Sequence, residues 1–162
     1  MKRIICLMLA VICLMGLCAC GGGDPDEGNA TKVRENINIA AIKDSIISEI
    51  GIQGAYDMDT AMLFNMYGID EADVEECASF TTMDGVFPDE IIMVKATDKD
   101  AADRVEEKLN TRLDAVLTQS QNYDAENYAI AQKCKVIREG QVVALFISAN
   151  HEEMQTIFNA KQ

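Results

Sequence analysis

Few side chains in this sequence could act as a nucleophile or bind a metal ion. The 162 residues include one histidine, His151, and only two of the six cysteines, Cys77 and Cys134, lie beyond residue 20. A Cys–His or Ser–His–Asp catalytic arrangement would require His151, and a zinc site takes about four ligands, mostly histidine or cysteine. His151 stands beside a predicted helix start, where surface polar residues are common. We therefore expect no catalytic residue, no metal ligand and no cofactor.

The two cysteines fall in predicted strands and leave two arrangements open. Outside the cytoplasm, the thiols of Cys77 and Cys134 could oxidise to a disulfide if their Cα atoms lie within about 7 Å of each other. The alternative is a pair of small, half-buried side chains that stay apart. The sequence does not decide between them.

The most specific motif lies at the N-terminus. A positive start, Met1-Lys2-Arg3, precedes an uncharged and mostly apolar run from residue 4 to residue 20. This is the layout of a secretory signal peptide, and the run is short for a membrane-spanning helix, which needs about 20 apolar residues. The segment that ends the run, Leu17-Cys18-Ala19-Cys20, resembles the bacterial lipobox. A retained membrane helix without processing is the alternative.

The lipobox resemblance implies removal of residues 1–19 as a signal peptide and a diacylglycerol on the sulfur of Cys20. Two acyl chains anchor a protein stably, because each buried methylene contributes about 0.8 kcal/mol. The glycine-rich, acidic residues 20–35 predict a flexible tether, and residues 36–162 predict a single globular domain. Cys20 would hold this domain at the extracytoplasmic face of the cell membrane.

The charge balance excludes one class of partner. The 27 acidic and 14 basic residues give a formal net charge of -13, which argues against nucleic-acid binding because phosphate contacts need a basic patch. The acidic surplus either keeps an envelope protein soluble or matches a cationic partner. Acid–base pairs are not excluded by number. Asp24, Asp26 and Glu35 match three positions of a calcium loop, but the residues between them do not fit it.

Apolar periodicity predicts four helices that would position any site. The first has isoleucines at helical spacing and ends at Gly51; the second runs from a cap at Asp57 to Gly68. The longest begins at residue 97 or 98 and would span about 33 Å. The last begins near Asn150, with a sequence typical of a capping box.

Four predicted strands complete the pattern: Val74–Met83, Glu90–Ala96, Lys133–Arg138 and Gln141–Ala149. The second is apolar on both faces, which is typical of a central strand. Two short helices followed by the order ββαββα predict an α+β, two-layer domain. Its sheet would be antiparallel-rich and four-stranded, with helices packed on it.

The longest predicted loop, residues 122–132, carries two aromatic side chains. Tyr123 and Tyr128 could line a binding groove beside the long helix, because tyrosine is enriched in interfaces. The alternative is that both rings hold the loop against the domain.

Several of these positions together resemble a known family. The residues that carry the resemblance are Asp57-Met58-Asp59, Leu63, Met66-Tyr67-Gly68-Ile69-Asp70, Asp73-Val74, Asp89-Glu90-Ile91, Val94-Lys95-Ala96, Arg112-Leu113, Tyr128, Gly140 and Val143–Ser148. Over about residues 36–160 the chain is similar to the domain-of-unknown-function family 4358, which is common in lipoproteins of Gram-positive anaerobes. The resemblance implies a single lipoprotein domain and brings no activity and no functional residue.

These observations favour a non-enzymatic, lipid-anchored domain that binds an envelope protein, a peptide or a small ligand. Two alternatives stay open. The first is an enzyme that uses carboxylates, for example on cell-wall material, and that would need two acids in one pocket with one raised pKa. The second is a divalent-cation-binding protein built on the acidic surplus.

Overall fold

The computed structural model describes residues 36–83 and 88–160, which form five α-helices, one 3₁₀-helix and six strands. In chain order these are α1 (Ile39–Ile50), β1 (Ala55–Met58), α2 (Thr60–Tyr67), the 3₁₀-helix (Glu71–Asp73), β2 (Val74–Cys77), β3 (Ser79–Thr82), β4 (Glu90–Ala96), α3 (Lys99–Tyr123), α4 (Ala125–Ala131), β5 (Val136–Glu139), β6 (Val142–Ile147) and α5 (His151–Ala160). The predicted signal peptide, Cys20, the tether and the calcium-loop residues lie outside the described residues. Within them, no helix is both long enough and apolar enough to cross a membrane.

All strand pairs in the sheet are antiparallel, and the order is β1-β3-β4-β6-β5. The remaining strand, β2, also pairs with β4, beside the stretch that β3 leaves free. Thus β2 and β3 are two parts of the predicted strand Val74–Met83, interrupted at Ala78, with a register shift between Val74 and Glu76. The prediction that Glu90–Ala96 is central is confirmed, since β4 has neighbours on both sides.

The prediction of a two-layer domain is wrong, because helices cover both faces of the sheet. Side chains of β4 and β6 alternate between two separate hydrophobic cores. We call one side the α3 face; its core combines the sheet with α2, α3 and α4. We call the other the α1 face, where α1 and α5 supply the apolar side chains. Strands that are apolar on both sides require a helical layer on each, so the domain has three layers.

The predicted four-stranded sheet in a ββαββα order is also corrected, chiefly by an additional strand. Asp57, predicted to cap the second helix, lies instead in β1 and is paired with Phe80 of β3. The cap of α2 is Asp59, whose Oδ1 accepts a hydrogen bond from the amide of Met62 at 2.8 Å. With four residues, β1 is too short to give a periodic signal. The C-terminal end at Gly68, with a φ of 69°, agrees with the prediction.

The predicted loop over residues 122–132 is mostly helical. Asp124 ends α3 and at the same time caps α4, accepting a hydrogen bond from the amide of Asn127 at 3.0 Å. The acidic cap and the helix-forming alanines after it outweigh the polar character of the segment. Tyr123, at the end of α3, is 86% exposed, so it does not hold this segment to the domain. Tyr128 lies on α4 and is partly buried.

We predict that Asp59→Ala destabilises the domain by about 1 kcal/mol, because it leaves amides in the first turn of α2 unsatisfied. Asp57→Ala is the matched control: its 70% exposed side chain loses only an ion pair with Lys43, which contributes at most about 0.5 kcal/mol. Urea unfolding at pH 7 measures both changes. An equal or larger loss for Asp57→Ala would contradict the assignment of Asp59 as the cap.

Candidate functional site

The two cysteines are free thiols in the structure. Cys77 donates its S–H to the carbonyl of Met58 at 3.3 Å, and Cys134 donates to the carbonyl of Ile130 at 3.4 Å. Both side chains pack in the core of the α3 face. Burial raises the pKa of the Cys134 thiol, which disfavours the thiolate that a nucleophile needs. The structure therefore matches the alternative of two separate, partly buried thiols.

His151 is buried, contrary to the surface position expected from the sequence. It is the first residue of α5 and is 5% exposed. Its Nδ1 has no hydrogen-bond partner among the described residues. In the same part of the chain, no group of three or more histidine, cysteine, aspartate or glutamate residues is arranged to hold a metal ion.

A largely buried polar cluster joins three residues from α2, β4 and α3. Arg112 holds the carboxylate of Glu90 with two hydrogen bonds, Nε to Oε2 at 2.9 Å and Nη2 to Oε1. The hydroxyl of Tyr67 donates to the same Oε2 at 3.3 Å. The guanidinium carbon of Arg112 also lies 5.7 Å from the centroid of the Tyr67 ring, within range of a cation–π contact. We call these three residues the Glu90 cluster.

The surroundings of Tyr67 and Arg112 in the Glu90 cluster raise the pKa of each and so keep both side chains protonated. Burial, reinforced by the negative charge of Glu90, raises the pKa of Tyr67 well above its usual range, so the phenol stays a hydrogen-bond donor. The hydrogen bonds to Glu90 raise the pKa of Arg112 further. Both oxygens of Glu90 are occupied by donors. The geometry therefore serves to hold three elements together and leaves no oxygen of Glu90 without a donor.

The family resemblance included all three residues of the Glu90 cluster but assigned none of them a role. Two signals in the sequence could have found the pair. Glu90 is the acidic residue at the start of a strand whose other residues, apart from Lys95, are apolar, and Arg112 stands beside the buried stripe of α3, next to Leu113. Glu90 and Arg112 are 22 positions apart, so no local sequence pattern indicates that they form an ion pair.

A second buried carboxylate is bound in the same manner. Asp73 accepts two hydrogen bonds from Arg104, Nε to Oδ2 at 2.9 Å and Nη2 to Oδ1 at 2.5 Å. These bonds hold the pKa of Asp73 below its usual value. The pair borders an open cleft of about 530 Å³ between the end of α2 and α3, with Asp70 and Lys108 also in its wall.

Asp89 has the opposite environment. Burial raises its pKa, partly offset by a hydrogen bond with Ser148. It lines a cavity of about 120 Å³ together with Asn127 and Ser148, and also a neighbouring cleft of about 280 Å³ that includes Thr82 and Asn150. Asp89 is the single acidic residue among the described residues that line these two spaces. The two converging carboxyls that a carboxylate enzyme needs do not meet there.

A different kind of candidate lies on the surface. Residues 44–94 contain 12 aspartates and glutamates and no lysine or arginine. Within the described part of this acidic segment, residues 44–83 and 88–94, four large apolar side chains are exposed. We call them the apolar rim: Tyr56 (53% exposed), Phe64 (53%), Met66 (48%) and Met83 (74%). Exposed apolar side chains bordered by charged residues are typical of an interaction surface.

We predict that Arg112→Met destabilises the domain by about 3 kcal/mol, because it leaves the carboxylate of Glu90, 9% exposed, without a counter-charge. The double variant Glu90→Gln/Arg112→Met should recover more than half of that loss, since the amide is neutral and still accepts from Tyr67. Lys99→Met, which removes an exposed ion pair with Asp103, should have little measurable effect. Urea unfolding tests all three, and additive losses in the double variant would contradict the coupling.

We also predict a pH-dependent contribution from Asp73. Its pKa is lower in the folded than in the unfolded chain, so its stabilising effect is complete above the unfolded value of about 3.8 and disappears as the pH falls through the folded value. The difference in unfolding free energy between the wild type and Asp73→Asn should therefore shrink between about pH 5 and pH 2. When both proteins also carry Arg104→Met, the difference in unfolding free energy caused by Asp73→Asn should vary much less with pH. Equal pH profiles in both backgrounds would show that Arg104 is not the cause.

Comparison with known proteins gives one match. A family model described as a domain of unknown function, DUF4358, matches residues 48–148. No curated protein and no solved structure matches the chain. The matched range covers more than half of the 162 residues and includes the Glu90 cluster, Asp89 and the apolar rim. The chain belongs to the DUF4358 family.

Proposed function

We propose that this protein is an envelope lipoprotein, anchored through a diacylglycerol on Cys20, whose folded domain binds a partner and catalyses no reaction. The anchor is supported by Leu17-Cys18-Ala19-Cys20 after an uncharged run with a basic start. The binding role is supported above all by one observation, the apolar rim on an acidic surface. Large exposed apolar side chains lower the solubility of a protein, and binding of a partner that covers them accounts for their presence on the surface.

The arrangement of the ionisable groups supports a binding role over catalysis. Glu90 and Asp73 are each held by two hydrogen bonds from an arginine. Such pairs give rigidity, because the charged groups are neutralised and their donors and acceptors are used. A domain with rigidly fixed core elements presents its surface in a single arrangement, which lowers the entropy cost of binding.

A carboxylate-based envelope enzyme is the second candidate, and Asp89 is the observation that favours it. Its raised pKa and its position beside a small cavity are properties of many catalytic acids. The absence of a second acidic group from the described lining of that cavity favours the binding role instead. The divalent-cation alternative, built on the acidic surplus, stays a prediction. Among the described residues no group of three or more histidine, cysteine, aspartate or glutamate residues is arranged to hold a metal ion, and Asp24, Asp26 and Glu35 lie outside them.

We expect the protein purified from the membrane of its own host to have the mass of a chain that starts at Cys20, plus that of a diacylglycerol. Cleavage before Cys20 and alkylation of its sulfur produce this mass together. Intact-mass spectrometry measures it. In a Cys20→Ala variant the lipid mass should be absent, because no thiol remains at that position.

The matched control is Cys18→Ala, which keeps the acceptor sulfur and should be lipidated as the wild type is. A full-length mass without lipid would contradict the anchor and favour a retained membrane helix. A mature chain without lipid, found outside the cells, would favour a secreted protein.

A further inference from the structure

One edge of the sheet is formed by β1, and no described residue pairs with its outer side. In an antiparallel sheet, every second residue of an edge strand directs its N–H and C=O outward. These groups are a template for a further strand, and extended peptides bind many proteins in this way. Most of β1 is exposed, since only Met58 of its four residues is buried.

Tyr56 and Met83 of the apolar rim lie at this edge, on one face of the sheet. Tyr56 is paired with Thr81, and strand side chains alternate, so Tyr56 shares the α3 face with buried Met58. Met83 is two positions beyond Thr81 and is therefore a diagonal neighbour of Tyr56, about 7 Å away. Helix α2 follows β1 after one residue and packs on the same face, which brings Phe64 and Met66 to that side.

The charge of the edge identifies the occupant. In β1, Asp57 pairs with Lys43 but stays 70% exposed, and Asp59 just after the strand is also exposed. The whole segment 44–94 lacks basic residues. A second copy of the chain would bring the same acidic surface to the edge, and like charges placed opposite each other are destabilising. A strand with basic and apolar side chains in alternation complements both the acids and the apolar rim.

We propose that the outer edge of β1 binds an extended, cationic segment of another envelope protein, which joins the sheet as an additional strand. This inference rests on the proposed function and names the class of its partner. Backbone hydrogen bonds to β1 fix the register. Alternate apolar side chains of the partner contact Tyr56 and its neighbours on the α3 face, and the basic side chains between them meet Asp57. The four residues of β1 limit the paired segment to a short stretch.

The test uses the full-length protein in non-ionic detergent and an eight-residue probe peptide of alternating lysine and valine, blocked at both ends. Fluorescence anisotropy measures its affinity, and hydrogen exchange maps its position. We expect binding with slowed exchange of amides in Ala55–Met58. A glutamate–valine peptide should bind at least about tenfold more weakly, because its charge has the opposite sign. A lysine–valine peptide methylated at every backbone nitrogen should also bind at least about tenfold more weakly, because neither of its edges can donate hydrogen bonds to β1.

Matched variants separate the edge from general charge attraction. Tyr56→Ser/Phe64→Ser removes two side chains of the apolar rim and should weaken binding about tenfold. Tyr123→Ser, which changes a still more exposed tyrosine at the end of α3, should leave the affinity unchanged. Equal affinity of the methylated peptide, or unchanged exchange in β1, would overturn the proposal.

A photo-crosslinking residue at position 56 or at position 123, in cells of the host, distinguishes failure of this inference from failure of the proposed function. A cross-link to a basic segment of another protein from position 56 alone supports the edge. A partner linked only through position 123 overturns the edge and leaves the proposed function intact. A link between two copies through position 56 assigns the edge to self-association and overturns the cationic partner. No adduct from either position overturns both proposals.

Discussion

The constraint on which the rest of the fold depends is that β4 and β6 are apolar on both faces. All six residues of β6 are buried, and in β4 only Lys95 is partly exposed. The two strands pair along six positions, from Glu90 with Ile147 to Lys95 with Val142. They form a central pair of strands whose two faces are both mainly apolar. Such a pair of strands is stable in water only if a layer of secondary structure covers each face. The chain meets this requirement with α1 and α5 on one face and α2, α3 and α4 on the other, although its sheet is antiparallel.

The two arginine–carboxylate pairs, in each of which the carboxylate is the buried partner, fix the α3 layer against the sheet. Glu90 begins β4, and its pair with Arg112 joins the strand to the middle of α3. Asp73 ends the 3₁₀-helix before β2, and its pair with Arg104 joins that segment to the first half of the same helix. Apolar packing alone tolerates sliding of a helix on a sheet, whereas bidentate hydrogen bonds at two points define its axial position. In each pair, the two hydrogen bonds contribute more to fixing the position of α3 on the sheet than to the net stability of the domain.

Long and periodic elements were predictable from the sequence, and short or non-local features were not. Helix α3 with its cap at Asp98, the two-sided strand β4 and the alternation in β6 agree with prediction, because many residues contribute to each pattern. Strand β1 has four residues, and α4 has seven, so neither gives a reliable period. The burial of His151 and the pairing of Glu90 with Arg112 depend on contacts between distant segments, which no local pattern contains. The family resemblance named the residues of that pair without indicating that they meet.

The distribution of charge along the chain explains why its surplus of acids reaches the edge of the sheet. From residue 44 to residue 94 every charged side chain is acidic. Part of this charge is neutralised by ion pairs with Lys43, Lys95 and two arginines of α3. Helix α3 packs on one face of the sheet, so its basic residues reach the carboxylates over that face. The outer side of β1 lies beyond this layer, and Asp57, although paired with Lys43, stays 70% exposed there. An edge strand that carries charge resists pairing with another copy of itself. The same charge leaves the edge open to a strand of opposite sign, so one feature of the sequence opposes aggregation and selects a partner.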